Sequence, residues 1–253
     1  MPIDAYKEKK FKKFEESLGI KFNNPDQLVQ AFVHRSFLNE NRDFPLAHNE
    51  RLEFLGDAVL ELVVTEFLFE NYHNPEGELT NWRAALVNAK MCATVASEIG
   101  MDPYLFLSHG ESKDSGTKAR EYILANAIEA LIGAIYIDQG WDVAEQFITR
   151  WIISKLPEVL ELGLWMDPKS RFQEASQENL GITPTYKVLK EEGPDHDKIF
   201  EVGIYLDKEK VAVGKGGSKQ EAQVEAAEKG LKKKKWKGPK IDIVERKDGD
   251  PIG

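Results

Sequence analysis

Residues 48–69, HNERLEFLGDAVLELVVTEFLF, constrain this chain more than any other stretch. They read as one helix, apolar around most of its circumference, yet they carry Glu50, Glu53, Asp57 and Glu61 against the single basic residue Arg51. At roughly 100° per residue, Glu50, Glu53 and Asp57 fall at about 0°, 300° and 340°, which is one narrow stripe. Leu52, Leu55, Val59, Leu60, Leu62 and Val63 cover most of the remainder. Such a helix is expected to be buried. Carboxylates crowded away from water repel one another unless protons or cations compensate, and a divalent metal ion is the simplest compensation. A solvated acidic face is the competing reading of any such stripe, and Glu61 is read that way.

A second helix strengthens the metal reading. Residues 122–138, YILANAIEALIGAIYID, are also apolar nearly all round, with Ala125, Ala127, Ala130, Gly133 and Ala134 small enough for close helix packing. The polar interruptions Asn126 and Glu129 lie one turn apart on one face. Two buried helices that offer oxygen ligands to a common space suit magnesium or manganese far better than zinc. His34, His48 and His73 lack zinc-ligand spacing and are read as caps or surface residues. Cys92 is the one cysteine, so neither a disulfide framework nor a thiol-rich metal site is expected.

The rest of the chain divides by composition. Residues 5–160 read as a run of helices, within a first domain taken as 1–163. One is Asn24-capped with Pro25 in its first turn, and GELTNWRAALVNAKMCATVASEIG reads as a helical run ending on Gly100. A boundary near residue 165 follows, with Asp167 and Pro168 opening a new helix. TYKVLKEEG, KIFEVGIYLD and EKVAVGKGG then alternate in period two, and a last helix starts at Ser218. The expected fold class is therefore an all-α domain followed by a small α+β module over 167–236, in the order α-β-β-β-α. An unstructured tail is expected over 237–253. The net charge of −9 argues against nucleic acid, but the charge is segregated: KGLKKKKWKGPK gathers positive charge at the end of the small module. No export signal and no stretch of membrane-spanning length is found, so a cytoplasmic protein without membrane contact and without a small-molecule substrate is expected.

NERLEFLGDAVL closely resembles the signature of the ribonuclease III catalytic domain, and ILANAIEALIGAIYID resembles that family's second acidic helix. FVHRSFLNEN and PEGELTNWRAALV match in order and spacing. DPKSRFQEASQ, PTYKVLKEEGPDHDKIFEVGIYL and VGKGGSKQEAQVEAAEKGL are similar to the three RNA-facing regions of a double-stranded RNA-binding domain, so the resemblance runs to about residue 236. It implies a homodimeric, magnesium-dependent endonuclease that cuts double-stranded RNA, with manganese as a possible substitute, leaving 5′-phosphate and 3′-hydroxyl ends. Processing of ribosomal RNA precursors and other RNAs is the implied role. Glu53, Asp57 and Glu129 match family metal or catalytic carboxylates, with Asp57 and Glu129 as the central pair. Glu50 and Glu76 match an outer acidic pair, and Asn126 stands where the family pattern has an aspartate. Phe54, about 40° round the helix, matches the family's dimer-interface knob.

The small module's resemblance implies a reader of duplex shape, touching successive minor grooves over ~16 base pairs. Gln173, Glu174 and His196 match minor-groove positions. SKQE reads as a capping box from Ser218 to Glu221 that aims a helix N-terminus and Lys219 at phosphate, with Lys215 in support. Gln220 departs from the family's usual second lysine. Ala222, Ala226 and Ala227 are read as packing, and the KKKK run as a solvated helix end that attracts RNA nonspecifically. The alternative function is a noncatalytic RNA-binding protein whose chemistry is weakened at Asn126.

Overall fold

The structure is a computed structural model and describes residues 5–113, 116–194, 198–236 and 242–246. It comprises two compact units: one runs through Leu156 and takes in Val244–Arg246, and the other spans Pro157–Ile243. Among the described residues no helix is long and apolar enough to cross a membrane.

The first unit is helical. Its elements are α1 (Ala5–Leu18), α2 (Pro25–Ala31), α3 (Arg35–Glu40), α4 (Glu50–Asn71), α5 (Glu76–Val87), α6 (Ala89–Ile99), α7 (Lys118–Gln139) and α8 (Trp141–Trp151). The local signals operate as spaced. Asn24 accepts from the N–H of Asp26 with Pro25 behind it, and Gly100 ends α6 in the left-handed region at φ 78°. The run ending on Gly100 is two helices, however. Asn88 breaks it by capping α6, accepting from the N–H of Met91 while its own amide donates to Ala84 and Ala85 carbonyls. An asparagine that serves one helix end and the next helix start turns the chain without Gly or Pro.

α7 is the central helix, with Ile123 to Ala125, Ala127, Ile128 and Ala130 to Ile135 buried. α4 packs along it but is less enclosed than the sequence suggests. Leu52, Gly56, Val59, Leu60, Val63, Val64 and Leu68 are buried, while Phe54, Leu62 and Phe69 are 82%, 56% and 50% exposed. Only the stripe that meets neighbouring helices is covered.

The crossing of α4 and α7 is set by two glycines. A Cβ on Gly56 would lie 1.8 Å from the carbonyl oxygen of Glu129, and one on Gly133 would lie 2.2 Å from that of Leu52. The backbones touch where side chains would otherwise hold them apart.

α9 (Leu156–Leu162) begins at the junction of the units. The second unit continues with α10 (Pro168–Leu180), β1 (Thr185–Glu192), β2 (Ile199–Leu206), β3 (Glu209–Gly216) and α11 (Lys219–Lys234), and its sheet is antiparallel in the order β1-β2-β3. Asp167 caps α10 by accepting from the N–H groups of Lys169 and Ser170. Phe172 and Ala175 of α10, Ile204 and Leu206 of β2, Val211 of β3 and Ala226, Ala227 and Leu231 of α11 form the core, and Ala222 is buried beside them.

Within the tail, residues 242–246 depart from the expected lack of structure, and residues 237–241 and 247–253 lie outside the described residues. Glu245 forms an antiparallel bridge with Tyr72, flanked by His73 N–H donating to the Val244 carbonyl and Arg246 N–H donating to that of Asn71. Backbone pairing of this kind needs no side-chain pattern, so nothing in IDIVERKDGDPIG announces it.

Gly56→Ala is expected to destabilise the first unit by about 3 kcal/mol, since a methyl group must force two packed backbones apart. Urea unfolding followed by circular dichroism checks this, and an unchanged midpoint would show that the crossing relaxes freely.

Candidate functional site

The glycine crossing lays the acidic face of α4 against that of α7. Glu53 and Asp57 come from α4, one turn apart and on either side of Gly56. Glu129 and Asn126 come from α7, again one turn apart, and both are half-buried.

These groups sense one another strongly. Burial, then the charge of Asp57, then that of Glu53, push the Glu129 carboxyl up to about 7. Glu53 is also raised, first by burial and then by Glu50 and Asp57. Among the described residues no Lys, Arg or His pairs with Glu53, Asp57 or Glu129, so the negative charge is uncompensated at the crossing. Glu50 is partly compensated at the rim by Arg35 at 3.6 Å, and the His48 Nδ1 lies 3.7 Å from it. Cys92 lies fully buried nearby. Its thiol is pushed up to about 12 by burial and then by Glu129 and Asp57, so it stays neutral and brings no counter-charge.

Among the described residues no three His, Cys, Asp or Glu side chains converge closely enough to hold a metal ion. Ligation would therefore require side-chain rotation toward a common point. In charge and donor type the residues suit a hard divalent cation: all donors are oxygens, and Asn126 adds an uncharged amide oxygen.

Glu76 is not brought into this cluster. It opens α5 and lines a separate cavity of about 520 Å³ with Thr65, Phe69, Tyr72, Arg83 and Arg246, and it contributes to neither the Glu53 nor the Glu129 shift. Glu61 is not a free surface glutamate. It pairs with Arg83 at 3.1 Å, and the same guanidinium donates to Thr65 Oγ1. Phe54 projects into solvent beside a groove of about 690 Å³ lined by Gln30, His48, Arg51, Leu55 and Ile137. His34 is a cap, its Nδ1 accepting from the N–H of Ser36 at the start of α3.

In the second unit Gln173 and Glu174 are exposed on α10. Ser218 caps α11 by accepting from the N–H of Glu221 at 3.1 Å, while the Glu221 carboxylate accepts from Gly217 N–H at 2.9 Å, one residue earlier than a standard capping box would have it. Lys219 Nζ lies 5.6 Å over the Phe200 ring. Lys215 is exposed, but its ammonium sits 3.4 Å from Glu201 and its N–H donates to Glu225, so part of its charge is spent within the domain. His196 lies outside the described residues. The lysine run is less free than its composition suggests: Lys233 donates to the Val211 carbonyl at 2.9 Å and Lys234 pairs with Glu209 at 3.0 Å.

Gly56 is the residue that sequence reasoning passed over. A glycine inside a helix costs roughly 1 kcal/mol against alanine, so its place between Glu53 and Asp57 was a signal of close backbone approach.

Residues 24–156 match the family described as Ribonuclease-III-like, and residues 168–234 match the double-stranded RNA binding motif. Proteins named Ribonuclease 3 from Carboxydothermus hydrogenoformans and Borreliella burgdorferi are 45% and 42% identical over 219 and 221 residues. The alignments cover 86% and 87% of this chain and 92% and 89% of those proteins. A solved nuclease domain of ribonuclease III from Campylobacter jejuni, described as flexible in a region involved in dimer formation, is 40% identical with a TM-score of 0.51. It covers 57% of this chain and 97% of that one.

The raised Glu129 carboxyl makes stability pH-dependent in the metal-free protein. Its folded value of about 7 lies above its ordinary 4.5, so the folded state binds that proton more tightly than the unfolded chain does. The stabilisation is present below about 4.5 and is lost as pH rises through about 7. In chelator, the unfolding temperature of the unaltered chain is expected to fall relative to Glu129→Gln between about pH 5 and pH 8. Parallel curves for the two proteins would contradict it.

Proposed function

The chain belongs to the ribonuclease III family, and from that premise we propose that it cuts double-stranded RNA as a homodimer, with magnesium held by Glu53, Asp57, Asn126 and Glu129. It is an endoribonuclease acting on double-stranded RNA, and the family is metal-dependent. The observation that carries the metal assignment is the glycine crossing, which brings Glu53 and Asp57 of α4 against Glu129 of α7, where among the described residues no cationic side chain offsets them and the Glu129 carboxyl is pushed up to about 7.

When bound, magnesium supplies the Lewis acidity that in-line displacement at phosphorus needs. Glu129 and Asp57 would be the central pair that holds the ion. Asn126 offers its carbonyl oxygen without charge, and Glu53 extends the ligand stripe toward Glu50. Glu76 serves from the outer edge. Water oxygen would bond to phosphorus, giving up a proton, as the bond from phosphorus to the 3′ oxygen breaks and that oxygen takes up a proton, which leaves 5′-phosphate and 3′-hydroxyl ends. Manganese is the expected substitute ion, since it takes the same oxygen donors.

The second unit supplies the grip on duplex. Gln173, Glu174 and His196 read the minor groove, while Ser218, Lys219 and Lys215 hold phosphate. Phe54 serves the dimer interface, because a two-fold axis is the direct way to place one site on each strand. The setting is the cytoplasm, and the substrates are ribosomal and other RNA precursors. A noncatalytic RNA binder is the less favoured reading, because binding alone has no use for an uncompensated carboxylate cluster that costs stability.

Two outcomes are expected. Purified chain cuts a long perfect RNA duplex only when magnesium or manganese is added, Asn126→Asp lowers the magnesium needed, and Glu129→Gln slows cutting by more than about 100-fold. If the unaltered chain binds duplex but fails to cut at any concentration of either ion, and Asn126→Asp restores cutting, the noncatalytic reading holds. Phe54→Ala shifts the assembly toward monomer in light scattering, and an unaltered chain that is already monomeric at micromolar concentration would remove the dimer from the proposal.

A further inference from the structure

We infer that the connector between α4 and α5 is a docking edge for an extended peptide, that the chain fills this edge with its own Val244–Arg246, and that the occupancy steadies the first turn of α5. The docking stands apart from the catalytic reading, and only its consequence for Glu76 rests on it.

The connector leaves α4 with Tyr72 extended at φ −134°, ψ 142°. On its open side the N–H of His73 donates to the Val244 carbonyl at 2.8 Å, and the Asn71 carbonyl accepts from Arg246 N–H at 2.8 Å. Tyr72 and Glu245 face each other between these bonds, so the segment adds to the connector as a short antiparallel strand. The Arg246 guanidinium lies 5.9 Å over the Phe69 ring, one turn back on α4.

Asn74 links this strand to α5. Its side chain is buried; its Oδ1 accepts from the N–H of Val244 at 3.0 Å while its amide donates to Glu78 Oε2 at 2.7 Å. Glu78 shares the first turn of α5 with Glu76. One buried amide therefore joins the tail to the turn that carries the outer carboxylate. Loss of the strand takes the Val244 N–H away from the Asn74 Oδ1 in a buried place, and losing that hydrogen bond loosens the turn.

The occupant is exchangeable. Val244 is 47% exposed, so apolar burial of its side chain does little to hold the segment. Attachment to the same chain keeps its local concentration high enough for such a weak contact to persist.

The test compares the full chain with Val244→Pro, which cannot donate to Asn74 and disfavours the pairing. Hydrogen exchange at the His73 amide and in the first turn of α5 should speed up by about tenfold or more, with α7 unchanged. Unchanged exchange at His73 would overturn the docking edge. Protection that falls when the full chain is diluted about tenfold would overturn the assignment to its own tail and favour a second copy. In the cleavage assay Val244→Pro should raise the magnesium needed for half-maximal rate; faster exchange with no such rise would overturn the link to Glu76. A full chain that cuts without metal would overturn the metal-site reading instead, and would leave the docking result standing.

Discussion

Gly56 and Gly133 meet backbone to backbone where α4 crosses α7, and the candidate site is a consequence of that contact. With any side chain at either position the helices would stand farther apart, and the carboxylates flanking Gly56 would move away from Glu129. The price is electrostatic. Three carboxylates are gathered without a paired cation among the described residues, and the Glu129 carboxyl is pushed up to about 7. Close packing over the buried length of α7 offsets this repulsion.

What the sequence made legible was local or periodic. The caps at Asn24, Asp167 and Ser218, the stop at Gly100 and the order of helix, three strands and helix in the second unit all follow from signals within a few residues of the element they define. Non-local pairings were not legible. Glu61 reads as a surface glutamate until α5 places Arg83 beside it, and Val244 reads as tail until its N–H meets Asn74. The exposure of Leu62 and Phe69 was hidden for a related reason: apolar content says that a helix has surface to bury, and only the arrangement of its neighbours decides which stripe is covered. The carboxylate stripe was visible from its spacing alone. Its pairing with α7 was suggested by small residues on one helix, and the matching glycine on the other completed it.

The two units handle charge differently. In the first, negative charge is concentrated at the crossing without cationic partners among the described residues. In the second, lysines that composition marks as free are partly tied down, Lys215 by Glu201, Lys234 by Glu209 and Lys233 by the Val211 carbonyl. A basic run is therefore a poor measure of the charge available to phosphate. Lys219, at the capped start of α11, keeps a ring beneath its ammonium and an oriented helix N-terminus beside it, so geometry rather than charge count singles it out.

The thiol of Cys92 has a practical side. It is wholly enclosed, and burial with Glu129 and Asp57 nearby pushes it up to about 12, so almost no thiolate exists near neutral pH. Thiolate is the species that alkylating reagents and mild oxidants attack. The chain's one sulfhydryl is accordingly silent toward maleimide-type labels, and a cysteine engineered onto the surface would carry a dye or spin label alone, with the native residue left in place.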